Sequence, residues 1–220
     1  MLRVELHAHT SDDPCDRIPH SAIQLIDHAV TLGYGALAIT LHDRQLDLKP
    51  YVPYAAERGL TLIPGIERTI QGKHVLLINF RSGAEEVRTF DDLARLRRRT
   101  PGLVVAPHPF FPAGSCLRGQ MDAHPELFDA VEYNAMFTAR LNFNRRAVQW
   151  AERHGRPLVG NCDVHRLHQL GTTCSLVDAE PDAGAICEAI KRGRIRIEHR
   201  PLDWITAIRT MGELLWDEFT

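Results

Sequence analysis

Residues 2–9 read Leu-Arg-Val-Glu-Leu-His-Ala-His. Apolar and polar side chains alternate through residues 2–6, the period-two pattern of a strand. If the extended backbone continues through His7-Ala8-His9, both imidazoles share one face. Two nitrogens on one face make half a metal site. Taken alone, His-x-His fits structural hydrogen bonding equally well.

The same arrangement recurs along the chain. Short apolar runs predict further strands at 36–40, 60–66, 74–80, 103–106, 130–133, 157–160 and 195–198. Helices are expected between them. Ser21 is placed to cap a helix over 22–32, which Gly33 ends. Others are expected at 53–58, 85–99, 140–154 and 182–192, with Gly59 and Gly155 as stops. A last helix over 202–216 would turn Trp204, Ile208 and Leu215 inward. Strands alternating with helices predict parallel α/β units. There is no linker, repeat or low-complexity run, so one barrel-like domain over 1–220 is the simplest architecture. Its core would span about 1–200, with the terminal helix at about 202–217. In such barrels reactive groups gather at the carboxyl ends of the strands.

Those ends are where the unusual residues fall. The chain has twelve histidines. His42 follows the second apolar run, Glu67 the third and His108 the run ending Ala106-Pro107. His74 opens a strand, and Asp163 and His165 follow Val159-Gly160. A single histidine at a strand end is usually a satisfied hydrogen-bonder. Six strand ends in a row present such residues; if the strands are parallel they converge on one rim, and several divalent ions sharing a bridging carboxylate are the natural use of so many ligands. Mixed imidazole and carboxylate ligation suits zinc, iron or manganese rather than calcium.

The ordered set resembles the polymerase and histidinol phosphatase (PHP) domain family. The matching segments are Glu5-Leu6-His7-Ala8-His9-Thr10, Ala38-Ile39-Thr40-Leu41-His42-Asp43, Ile63-Pro64-Gly65-Ile66-Glu67, Lys73-His74-Val75-Leu76, Ala106-Pro107-His108-Pro109 and Gly160-Asn161-Cys162-Asp163-Val164-His165-Arg166. The resemblance implies a distorted seven-stranded β/α barrel, TIM-like, with two or three divalent ions (Mn, Fe or Zn). His7, His9, Glu67 and Asp163 would hold one ion. Glu67, His74 and His108 would hold a second, with Glu67 bridging. His42, His165 and a first-loop residue would hold a third. The chain departs from the family pattern twice. Leu41 stands where the family has Asp, which would alter the support of His42. Pro14 stands where the first loop usually has Asp; Asp16 is favoured as its replacement, with Asp13 and Asp12 as alternatives.

Arg17, Arg68, Lys73 and His168 are candidates for binding a phosphate, with Arg140 and Arg145 behind them. Arginine's planar fork suits phosphate oxygens. Glu67, Asp163 and Arg68 are the candidate catalytic residues, and Glu132 and Asn134 are expected to line the pocket. The resulting expectation is a metal-dependent phosphoesterase, activating water against a small phosphomonoester or nucleotide. The alternatives are an amide or lactone hydrolase on the same barrel and a non-catalytic, metal-stabilised regulatory domain.

Composition bounds the partners. With 220 residues and a net charge of −2, the chain offers no global attraction for nucleic acid or membranes. No apolar run approaches the roughly 20 residues of a membrane helix. Five cysteines, odd in number and without Cys-x-x-Cys spacing, fit a reducing compartment. With a strand at the very start and no leader pattern, the cytoplasm is the expected location. Oligomeric state is left open.

Overall fold

In the computed structural model, which describes residues 1–219 and side chains through residue 213, nine strands form one mixed sheet. The first half of the chain supplies β1 (Leu2–Glu5), α1 (Ala22–Thr31), β2 (Ala36–Ile39), α2 (Val52–Ala56), β3 (Thr61–Ile70), β4 (Lys73–Ile78) and α3 (Phe90–Arg99). The second half supplies β5 (Leu103–Ala106), α4 (Gly119–Ala123), β6 (Ala130–Asn134), α5 (Asn144–His154), β7 (Leu158–Asn161), β8 (Thr173–Val177), α6 (Ala183–Lys191), β9 (Ile195–His199) and α7 (Trp204–Phe219). The spatial order is β7-β6-β5-β4-β3-β2-β1-β8-β9.

The sheet curls into a nearly closed barrel. On the side away from β2, Leu2, Arg3 and Val4 of β1 pair with β8. Just beyond β1, the His9 amide donates to the Val164 carbonyl at 3.0 Å and the Val164 amide to the His7 carbonyl at 3.1 Å. These bonds bring the chain after β7 against the chain after β1. The barrel is therefore α/β and TIM-like, with distortion where direction changes. β4 runs antiparallel to both β3 and β5, and β8 to both β1 and β9, so the expectation of wholly parallel units is corrected. The turn Gln71-Gly72 makes β3 and β4 a hairpin, too short for the crossover a parallel pair needs.

Local chemistry sets the element boundaries. Ser21 accepts from the Gln24 amide while the Gln24 side chain accepts from the Ser21 amide, a reciprocal cap that starts α1 as expected. The helix expected from residue 85 begins only at Phe90, because Thr89 and Asp92 form the same kind of box. Glu85 is drawn away to accept from the Gln45 amide. The helix expected from residue 140 begins at Asn144. The Asn144 carboxamide binds both the amide and the carbonyl of Asn134, which ties α5 to the end of β6. β8 has no long apolar run and escapes the periodicity reading; its Ser175 hydroxyl bonds to Gly160. A Cβ at Gly160 would meet the Cys174 carbonyl oxygen at 2.9 Å, so β7 and β8 pack closely only with glycine there.

Alternation decides what fills the barrel. Ala38, Ile63, Leu76, Val105, Ala130 and Val159 point inward and are fully buried. α6 packs against β3, β5 and β8 together and adds Ile186 and Ile190 to this cluster, closing one end. The expectation for α7 fails: Trp204 is 50% and Ile208 69% exposed, while Thr210 is buried against His168. α7 faces the barrel with Thr210 and Met211 rather than with Trp204 and Ile208; the Leu215 side chain lies outside the described residues.

Candidate metal centre

Moving along each strand at the same parity leads from the apolar interior to a polar rim. Ala38 leads to Thr40 and His42, Ile63 to Glu67, Ala130 to Glu132 and Asn134, and Val159 to Asn161 and Asp163. On β4, which enters from the opposite direction, Ile78 and Leu76 lead back to His74. Antiparallel β4 therefore still delivers its histidine to the rim where the parallel strands end. His108 and Asp163 adopt positive φ angles of 29° and 53°, a conformation that costs non-glycine residues free energy and is held here at two site residues.

Five strand-end histidines converge on Glu67, which is 1% exposed, and His165 joins them through Asp163. Its Oε2 lies 3.0 Å from His7 Nε2, 3.3 Å from His9 Nε2 and 3.2 Å from His42 Nε2. Its Oε1 lies 2.8 Å from His74 Nδ1 and 3.2 Å from His108 Nε2. Asp163 Oδ1 is 3.2 Å from His7 Nε2 and 3.4 Å from His165 Nδ1. His165 Nε2 is 2.9 Å from Asp16 Oδ2.

Behind the imidazoles, carboxylates fix their orientation. Glu132 Oε1 is 2.8 Å from His7 Nδ1 and also accepts from the Asn161 carboxamide. Asp13 Oδ2 lies 2.9 Å from His9 Nδ1 and 3.1 Å from His42 Nδ1. Each holds the outer ring nitrogen and leaves Nε2 facing the centre, the usual support of a ligating histidine. Deeper still, the Glu5 carboxylate accepts from the His7 and Cys162 amides.

The charges are strongly coupled. Burial opposes ionisation of Glu67 and Asp163, but the surrounding histidines, His7 foremost, outweigh it and hold both carboxyls well below their ordinary range. Burial likewise opposes protonation of His9 and His42. Asp13 and Glu67 help to overcome it, raising His9 to about 9 and His42 to about 11. Glu5 goes the other way: burial dominates and pushes its carboxyl up to about 8.

The donor set fits divalent cations. Three imidazole nitrogens crowd one oxygen of Glu67, more than its lone pairs can use as hydrogen bonds. His9 Nε2 and Asp163 Oδ1 are buried without any hydrogen-bond partner, and both face this centre. Buried polar atoms are rarely left so, and a cation among them would engage both. Three of the tight ligand groupings, His7–His9–Glu67, His9–Asp163–His165 and His42–Glu67–His74, fall on residues expected as ligands.

The first-loop alternatives separate by position. Asp16 reaches His165, and Asp13 bridges His9 and His42, whereas the Asp12 carboxylate accepts from the Thr10 hydroxyl. Leu41 is fully buried among the residues packed on α1, facing away from the histidine cluster. Asp13 instead supports His42, accepting from both its amide and its ring.

The expected phosphate ligands do not assemble. Arg68 follows inward-facing Glu67 and so points outward, where it is 4% exposed and bonded to Asp43 and the Val87 carbonyl. The structure therefore does not bring Arg68, expected as a catalytic and phosphate-binding residue, to the cavity at the centre. Lys73 donates to the Gly114 carbonyl, and His168 packs on Thr210. Arg17, Arg140 and Arg145 are exposed and line no cavity at the centre. Above the centre lies a cavity of about 230 Å³. Asn134 lines it as expected, while Glu132 sits beneath. Its other walls include Phe111, Met136 and Met211, which carried no signal in the sequence.

A family model described as PHP-associated matches residues 142–195. No curated protein matches the chain. Among solved structures, a two-domain protein from Bacteroides vulgatus containing a predicted PHP-like metal-dependent phosphoesterase superposes with a TM-score of 0.69 at 18% identity, covering 97% of this chain and 69% of that one. PsfC from Pseudomonas syringae gives 0.67 at 19% identity over 100% and 99% of the two chains. The lesion-specific endonuclease EndoQ from Pyrococcus furiosus gives 0.60 at 15% identity over 96% and 66%. The PHP-associated match is confined to residues 142–195, and at under 20% identity these superpositions show a shared fold.

Proposed function

We propose that the protein is a metal-dependent phosphoesterase acting on a small phosphomonoester or nucleotide. The observation that carries this reading is Glu67, whose two oxygens face two different sets of histidines, the arrangement of a carboxylate bridging two cations. His7, His9, Glu67 and Asp163 would hold one ion, and Glu67, His74 and His108 a second. His42, His165 and Asp16 would hold a third, with manganese, iron or zinc as the candidates. Bound there, such ions supply Lewis acidity to a phosphoryl oxygen and make an attacking water easier to ionise.

The chain's own residues supply the rest. Asp163 lines the cavity and is ionised at neutral pH, so it can accept a hydrogen from the water and orient it. Asn134 donates to Asp163 Oδ2 at 3.4 Å and fixes that carboxylate's rotation. Glu132 and Asp13 keep the imidazoles aimed inward. No arginine or lysine lines the cavity among the described residues, which favours a small substrate over a nucleic-acid strand. Among the described residues no helix is long and apolar enough to cross a membrane. All five cysteines are unpaired, which supports a reducing compartment such as the cytoplasm.

The test is a panel of phosphomonoesters, nucleotides, amides and lactones assayed with each of the three metals. Release of inorganic phosphate, absent in His7→Ala, is expected. Turnover confined to amides or lactones would replace this reading with the other hydrolase. Metal binding without turnover of any substrate would favour the regulatory alternative.

A further inference from the structure

The cavity above the centre has two unlike walls. One is the cluster of imidazoles and carboxylates. The other is built from Phe111, Ala113, Met136 and Met211, with Ser115 and Cys116 beside them. This second wall comes from three separate parts of the chain: the loop after β5, the end of β6 and α7. Phe111 is half-buried, its ring centre 5.4 Å from that of Phe143 and 6.4 Å from that of His108, so it spans from a supporting aromatic to the metal side. The Met136 amide donates to Asn134 Oδ1 at 2.8 Å, which anchors its backbone. Met211 is 48% exposed.

Among the described residues no lysine or arginine lines this wall. The nearby Lys73 ammonium is engaged by the Gly114 carbonyl, and Arg68 by Asp43. Among the described residues, the charged groups lining the cavity besides the histidines are the acidic Asp16, Glu67 and Asp163. A substrate carrying a second phosphate or a carboxylate on its alcohol portion would meet thioethers, a phenyl ring and repelling carboxylates. A hydrocarbon portion would displace water from apolar surface, and flexible methionines adapt to irregular apolar shapes.

We propose that the substrate's alcohol portion is uncharged and apolar, aromatic or branched hydrocarbon, and seats against Phe111, Met136 and Met211. This rests on the phosphoesterase reading and narrows it to esters with one anionic group. The test uses the manganese-loaded protein, with benzylphosphonate and methylphosphonate as non-hydrolysable probes in titration calorimetry and benzyl phosphate as a turnover substrate. Benzylphosphonate should bind about tenfold tighter or more than methylphosphonate. Met211→Ala and Phe111→Ala should each shrink that ratio while leaving methylphosphonate affinity nearly unchanged; the half-exposed Met211 makes the first variant safe for folding. Equal affinities, or a ratio untouched by both substitutions, would overturn the inference even if benzyl phosphate is hydrolysed. Failure to hydrolyse any phosphate ester, with neither phosphonate bound, would bring down the phosphoesterase reading and this one together.

Discussion

The two ends of the barrel solve opposite problems. At the end closed by α6, Ile186 and Ile190 pack into a dry apolar cluster, and every contact favours the folded chain. At the other end, six histidines and the carboxyls of Glu67, Asp163, Glu132 and Asp13 crowd together with little access to water. Burying charge is unfavourable unless it is paired, and even pairing offsets the loss only in part. The contrast is between an end held by apolar packing and a rim held by buried charge pairing. The fold holds the rim in place instead of being held by it.

Substitutions can break this division of labour. The largest effect is expected on function at the rim: His7→Ala or Asp163→Ala should reduce phosphate release to background while the protein still unfolds cooperatively. Retained turnover in either variant would detach them from the chemistry. At the other end, Ile190→Ala should cost about 2–5 kcal/mol of stability, measured by denaturant titration, with metal content unchanged. Smaller effects belong to the supporting carboxylates. Glu132→Gln or Asp13→Asn should weaken metal binding by about 10–100-fold, seen by competition with a chelator, without emptying the site entirely.

The rim's pH dependence sharpens the comparison in metal-free protein. His9 and His42 are raised to about 9 and about 11 from an ordinary value of 6.5. A group raised on folding contributes stability that is fully present below its unfolded value and is lost as pH rises through the folded one. The melting temperature of the chelated protein should therefore fall between pH 6.5 and about 11. The depressed carboxyls of Asp13, Glu67 and Asp163 predict a second fall on the acid side, below their ordinary range. A melting temperature that climbs steadily from pH 7 to 10 would contradict the charge pairing described. The smallest effect is expected away from both ends: Ser21→Ala should cost about 1 kcal/mol by removing the α1 cap, with turnover untouched.

Much of the rim was readable because strand parity is short-range. His7 and His9, two residues apart, and Glu67, four residues beyond inward Ile63, declare their face from local sequence alone. The same parity explains why Arg68 was misread: adjacency to a ligand in sequence means the opposite face in a strand. What stayed hidden depends on distant partners. Asp13 supports His42 across 29 residues, a relation no local pattern carries. β8 lacks an apolar run because one of its faces is satisfied by Ser175 bonding to Gly160. The hairpin reversal of β4 left the outcome intact, since His74 merely arrives at the rim from the other direction. The apolar wall from Phe111 to Met211 joins three distant segments and has no signature in any of them.

On this reading the histidines around Glu67 hold cations. The most direct measurement is the metal content, by plasma mass spectrometry, of protein purified without chelator and again after incubation with manganese, iron or zinc. Two to three equivalents per chain, falling in Glu67→Ala by more than one equivalent because one carboxylate serves two ions, is the predicted result. Well under one equivalent with every metal would contradict the account and leave the cluster a purely structural network.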